Sequence, residues 1–198
     1  MTIIVGLERN DEVFMGCDSA GTGYNYAQCT VRDPKVFENE GLLMGMCGSF
    51  RLGQLLQHAL AVPDRDPRKE NDMEWLVTDY VDAVREMLQE KGHIHKGEHT
   101  EETMPGSDYL LGYRGKLYIV EENFQILKVN EDYLATGCGY ELAAGALYTM
   151  KQSPQWNETD PVDIITNAIR AACHHNAGCA LPLHIFKLDK EGKITKIK

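Results

Sequence analysis

Three residues in the first fifth of the chain could share one piece of chemistry: Thr2, Asp18 and Lys35. A threonine hydroxyl is a poor nucleophile unless a base sits beside it. The free α-amine of an N-terminal threonine, with an ordinary pKa of about 7.7–8.0, can be that base. Thr2 directly follows Met1, and it is small enough for a methionine aminopeptidase to expose. While Met1 is attached, the Thr2 nitrogen is an amide with no basic lone pair, so the chemistry requires its removal. Asp18 ends an apolar run, MGCDSAG, and Lys35 opens another, DPKVFE. On paired strands the two would meet beside Thr2, where a lysine lowers the pKa of the amine. Taken singly, Asp18 reads rather as the cap of its own loop, and Lys35 as a solvated strand start.

Elements of the right kind surround these residues. TIIVGLER and EVFMGCDS read as two strands joined at Asn10 and Asp11, residues with tight-turn chemistry. KVFENE and GLLMGMCG read as a second pair turning at Asn39 to Gly41, after a glycine-rich loop, AGTGYNYAQ. That predicts four strands before any helix. From Ser49, a residue of N-cap type, Leu52, Leu55, Leu56, Ala59 and Leu60 fall at helical spacing up to about Pro63. Past the charged segment DRDPRKEND, Trp75, Leu76, Tyr80, Val81, Val84 and Leu88 mark one face of a longer helix. Strands resume with DYLLGYR, KLYIVEE and FQILKVN, and DYLATGCG leads into the next helical stretch. The Gly/Ala-rich ELAAGALYTM reads as a third helix, and a fourth starts at Pro161, a favoured first-turn residue, and runs to about His174. LHIFKLD and KITKIK close the chain. Strand blocks separated by helices, without regular β-α alternation, predict an α+β fold of stacked antiparallel sheets flanked by helices.

Composition narrows the function. The 198 residues fit a single domain, 1–198, and carry 20 Lys and Arg against 30 Asp and Glu, a net charge of −10 with no basic stripe. Nucleic acid is not an expected partner. No apolar run is long enough for a membrane span, and no secretory signal is apparent, so a soluble, cytoplasmic protein is expected. The six cysteines form no CxxC pair and read as small buried hydrophobes in a reducing compartment.

The run TIIVGLERNDEVFMGCDSAGTG, then KVFENEGLLMGMCGS, then LATGCGYELAAGALYTM resembles the proteasome β-subunit family and the peptidase subunit of the bacterial ATP-dependent ring protease, both N-terminal nucleophile hydrolases. The resemblance covers most of the chain outside residues 63 to 105. It implies a four-layer αββα sandwich of two antiparallel sheets, and a homo-oligomeric ring of six or seven subunits, single or double. It also implies peptide substrates and a separate ATPase that unfolds them. Carried over by residue, it places the nucleophile at Thr2, the acid at Asp18, the lysine at Lys35 and the oxyanion-binding backbone N–H at Gly48. Met46 and Phe50 would flank the pocket for the side chain before the cut, with Gly21 at its rim. The chain departs from the pattern in two places. Cys138, in Gly137-Cys138-Gly139, stands where the family commonly has a catalytic-site serine, and Asn176 and Cys179 stand where many members have Asp and Ser. Asn carries no charge, and a thiol is a weaker hydrogen-bond partner than a hydroxyl. Two other readings keep the same fold: a catalytically silent ring or scaffold subunit, and an amide hydrolase acting on a small molecule.

The remaining signals are weaker. HIHKGEH brings His93, His95 and His99 together, but with Lys, Gly and Glu interleaved it reads as an exposed loop rather than a zinc site. His174 and His175 suit the negative end of a helix. The GTG of residues 21 to 23 is too short for a phosphate loop and no GKS or GKT follows. No cofactor and no metal are expected.

Overall fold

The computed structural model describes residues 1–23, 28–94, 103–104 and 106–198. Strands β1 (Ile4–Arg9) and β2 (Glu12–Cys17) form the centre of one sheet. They turn at Asn10 and Asp11, whose positive φ of 55° and 57° is the two-residue geometry that matches strand twist. β10 (Tyr133–Thr136) adds to one side, and β11 (His184–Leu188) with β12 (Ile194–Lys196) to the other, giving the antiparallel order β10-β1-β2-β11-β12. The second sheet, β5-β6-β7-β8-β9, is a meander of β5 (Val36–Asn39), β6 (Leu42–Met46), β7 (Tyr109–Tyr113), β8 (Lys116–Val120) and the short β9 (Ile126–Leu127). Its first hairpin turns at Glu40 and Gly41, and the next at Arg114 and Gly115, all at positive φ.

The glycine-rich loop holds more structure than its composition predicts. β3 (Ala20–Thr22) and β4 (Gln28–Thr30) pair as a two-stranded ribbon, so six strands, not four, precede the first helix. Three-residue strands of Ala, Gly, Thr and an exposed Gln-Cys-Thr carry no readable alternation.

Among the described residues, five α-helices complete the fold. α1 (Phe50–His58) is capped by Ser49, whose side chain accepts from the Leu52 N–H. It stops at His58, short of Pro63, because the Asn39 side chain donates to the carbonyls of Leu56 and Leu60 at 2.8 and 3.0 Å and takes up carbonyls the helix end leaves open. Asn39→Ala is therefore expected to destabilise the protein by about 1–3 kcal/mol, read from urea denaturation, through buried carbonyls left unpartnered. α2 (Asp72–Trp75) and α3 (Val81–Glu90) are joined through one wider turn, Leu76–Tyr80. α4 (Tyr140–Lys151) and α5 (Pro161–His175) pack on each other.

Three apolar cores explain the strand sequences. Ile3, Val5 and Leu7 from the β1 segment pack with Ile164, Ile165 and Ile169 of α5 and Leu147 of α4. Leu42, Met44 and Met46 of β6 pack with Leu52, Leu56, Trp75, Val84 and Leu88 of α1 to α3. Between the sheets, Ile4, Val13, Met15 and Cys17 meet Val36, Leu43, Leu110 and Leu117. Both faces of β1 and β6 are thus covered, so these strands read as continuous apolar runs rather than alternating ones. Close approach of the sheets needs Gly45, where a Cβ would stand 2.6 Å from Ile4 Cγ2 and from Met15 Sδ.

Candidate active site

Register decides which residues meet. In the first sheet Ile4 pairs with Cys17 and with Thr136, and Cys17 pairs with His184. The residues just outside those pairs, Thr2, Asp18, Gly137 and Ala180, therefore lie at one end of that sheet. In the second sheet Val36 pairs with Gly45, and Met46 with Tyr109, which puts Lys35, Cys47, Gly48 and Asp108 at one end as well. The Lys35 ammonium then donates to Asp18 Oδ1 at 2.6 Å, linking the two ends. Both side chains are fully buried.

Asp18 is the most heavily used group here. Its Oδ1 accepts from the Ile3 N–H at 3.0 Å besides Lys35, and its Oδ2 accepts from the N–H groups of Ala20 and Ala180, both at 2.9 Å. The carboxylate therefore fixes the segment that carries Thr2, the start of the β3 ribbon and the loop before β11 together. A buried charge stays tolerable only with such a full complement of partners.

Lys35 reaches past Asp18 to the Met1 carbonyl at 3.4 Å. The same carbonyl accepts from the Thr2 hydroxyl at 2.5 Å. The hydroxyl and the ammonium thus converge on one carbonyl oxygen, that of the bond joining Met1 to Thr2. Thr2 is buried, while Met1 above it is 44% exposed. A cleft of about 530 Å³ opens over Met1 and Thr2, lined further by Gly48, Thr136 and Cys138.

Gly48 holds a left-handed backbone, φ +82°, and a Cβ there would lie 2.4 Å from the Gly106 carbonyl oxygen. Glycine is required on both counts. Its neighbour Ser49 donates its N–H to Ser107 Oγ at 3.1 Å, and Cys47 donates its N–H to the Asp108 carbonyl at 3.1 Å, so the turn is clamped on either side. Among the described residues the Gly48 N–H itself has no partner.

The Thr2 nitrogen donates to Cys138 Sγ at 3.3 Å. Cys138 is exposed, as is Cys29, whereas Cys17, Cys47 and Cys179 are buried and Cys173 lies between. The reading of the six as buried hydrophobes is corrected for Cys138 and Cys29. Cys138 is exposed because the turn that carries it, between β10 and α4, faces the cleft. Asn176 supports it twice, donating from Nδ2 to the Cys138 carbonyl at 2.7 Å and offering Oδ1 at 3.7 Å from the thiol. Gly137, φ +101°, lets the chain pass the Thr2 carbonyl, which a Cβ would approach to 2.3 Å.

Met46 and Phe50 line a second cleft of about 660 Å³, together with Val31, Lys35, Gly53 and His58. Thr2, Gly48 and Cys138 line the first cleft, and Lys35 the second, so the ammonium stands between the two groups of residues. Gly21 lines neither; it sits in the β3 ribbon, where a Cβ would meet Val31 Cγ1 at 2.7 Å. Residues that sequence reasoning did not single out are Thr136, Ser107 and Asp108. The first lies immediately before the GCG turn; the other two follow a stretch with no readable periodicity.

Of the histidine-rich stretch, His95 and His99 lie outside the described residues, and His93 follows the end of α3. His174 and His175 occupy the last turn of α5, as helix-end chemistry predicts. Among the described residues no cluster of His, Cys, Asp or Glu has the arrangement of a metal site, and no helix is long and apolar enough to cross a membrane.

Fold and register together define a mixed α/β protein with antiparallel sheets. No family model matches the chain, and no curated protein matches its sequence. Solved structures do match its fold. BPH from Thiobacillus denitrificans, determined alone and in complex with epoxomicin, superposes with a TM-score of 0.76 at 16% identity, covering 95% of this chain and 98% of that one. The eukaryotic HslV from Trypanosoma brucei gives a TM-score of 0.66, also at 16% identity, covering 95% and 99%. The resemblance carried by the sequence motifs therefore holds for the fold over nearly the whole chain.

Proposed function

We propose that this protein is a threonine peptidase whose nucleophile is Thr2 after removal of Met1. The observation that carries the proposal is the convergence of the Thr2 hydroxyl and the Asp18-held Lys35 ammonium on the carbonyl attached to Thr2. Once that residue is gone, both groups lose a shared acceptor, and the freed amine stays within reach of the hydroxyl it must deprotonate. The hydroxyl attacks a substrate carbonyl, the amine takes its proton, and the Gly48 N–H stabilises the oxyanion. The amine then returns the proton to the leaving group, and water releases the acyl chain. Lys35 holds the amine in its basic form, and Asp18 holds Lys35. The cleft lined by Met46 and Phe50 suits an apolar side chain before the cut, and Gly21 lies beyond it. Cys138 replaces a hydroxyl as the partner of the Thr2 nitrogen.

The three stacked cores support a four-layer αββα order, and the likeness to HslV and BPH supports assembly of a single domain into a ring of six or seven subunits, fed by a separate ATPase. The altered shell of Cys138, Asn176 and Cys179 favours one competing reading, a silent ring subunit.

The test is cleavage of apolar fluorogenic peptides by protein with Met1 removed, its mass confirmed. Hydrolysis supports the peptidase; inertness across a broad panel, with a ring still seen by light scattering, supports the silent subunit. Gly48→Ala adds a Cβ against Gly106 and strains a left-handed turn, so it is expected to move the N–H and cut peptide turnover by about 10²–10³. Turnover within a few-fold of the parent would remove Gly48 from the oxyanion role.

A further inference from the structure

We propose that Cys138 and Cys179 form an oxidisable dithiol, a modification site that closes to a disulfide when the protein meets a peroxide and thereby withdraws Cys138 from Thr2. The two sulfurs lie 3.9 Å apart, and a disulfide needs about 2.05 Å. Their backbones interlock reciprocally. A Cβ on Gly178, the residue before Cys179, would stand 2.7 Å from Cys138 Sγ, and one on Gly139, the residue after Cys138, would stand 2.8 Å from Cys179 Sγ. Each thiol thus rests against the bare backbone beside the other.

The two cysteines differ in the way a sensor pair requires. Cys138 is exposed at the cleft, open to a small oxidant, whereas Cys179 is 4% exposed. Burial also pushes the Cys179 thiol well above its ordinary range, so Cys138 is the sulfur that reacts first. Its thiolate attacks one peroxide oxygen, the O–O bond breaks, and a sulfenic acid and hydroxide result. The Cys179 sulfur then attacks the Cys138 sulfur, displacing that hydroxyl, which leaves as water with the Cys179 proton. Two thiols and one hydrogen peroxide give one disulfide and two waters. The bond draws Cys138 Sγ toward Cys179 and takes away the S–H that donates to the Thr2 carbonyl at 3.5 Å. The same displacement pulls the sulfur away from the Thr2 nitrogen, which now donates to it at 3.3 Å. Of the other cysteines, Cys17 and Cys47 are buried, Cys29 lies on the β4 ribbon, and Cys173, which lines one cleft with Cys179, is half-buried with its thiol pushed up to about 11.

The experiment treats the full-length, reduced protein with hydrogen peroxide, alkylates it, and maps the peptides by mass. The expected result is a Cys138–Cys179 linkage that dithiothreitol reverses, absent from Cys179→Ser protein, where a dimedone adduct accumulates on Cys138 instead. Both thiols remaining alkylatable, or a linkage to Cys173, overturns the proposal. The functional arm rests on the peptidase reading. In Met1-free protein that cleaves peptides, oxidation abolishes cleavage and dithiothreitol restores it; linkage with cleavage unchanged refutes the switch while leaving the peptidase intact. Because mapping needs no activity, an inert protein tests the dithiol without bearing on the peptidase.

Discussion

Asp18→Ala is expected to lower stability by about 3–5 kcal/mol, the cost of breaking a buried ion pair. For a domain of this size that is a fall of about 6–20 °C in Tm. The substitution strands the Lys35 ammonium in the interior and leaves the N–H groups of Ile3, Ala20 and Ala180 without their acceptor. Lys35→Met is expected to cost less, since an apolar chain of similar length fills the space and Asp18 keeps its three backbone donors. Both variants are expected to lose peptide turnover. Calorimetry reads the stability order. A Lys35→Met protein less stable than Asp18→Ala would show that the pair, rather than the carboxylate's backbone bonds, holds this end of the sheets.

The second large effect concerns Thr2 itself. In Met1-free protein Thr2→Ala is expected to abolish peptide cleavage while leaving Tm nearly unchanged. The methyl group that packs is kept in part, and the hydroxyl's present acceptor, the Met1 carbonyl, is already gone. Circular dichroism and peptide assays on the same sample separate loss of the nucleophile from loss of fold. Activity retained in that variant would assign the chemistry to another group, Cys138 foremost.

Much of this site was legible because turn chemistry sets register. Asn10-Asp11 specifies the β1–β2 hairpin, and that hairpin alone places Asp18 beside Ile3. Glu40-Gly41 does the same for Lys35 and Gly48 at the far end of the second sheet. What links the two ends is tertiary: nothing in the local pattern of DPKVFE says that Lys35 will be buried against a carboxylate on the other sheet. The β3–β4 ribbon is not legible because its residues carry neither alternation nor strong strand propensity. The exposure of Cys138 is not legible either, because its glycine neighbours suit a packed turn and an exposed one equally well. The stop of α1 at His58 depends on a side chain from β5, Asn39, distant from the helix in sequence.

The central claim is that the working group is a free Thr2. The most direct measurement incubates Met1-free and Met1-retaining protein with a peptide β-lactone, and in parallel with epoxomicin, and maps any adduct by mass. The account predicts acylation on Thr2 in the first protein alone, with peptides competing for it. Adducts at another residue, or none in protein whose N-terminal Thr2 is confirmed by mass, would contradict it.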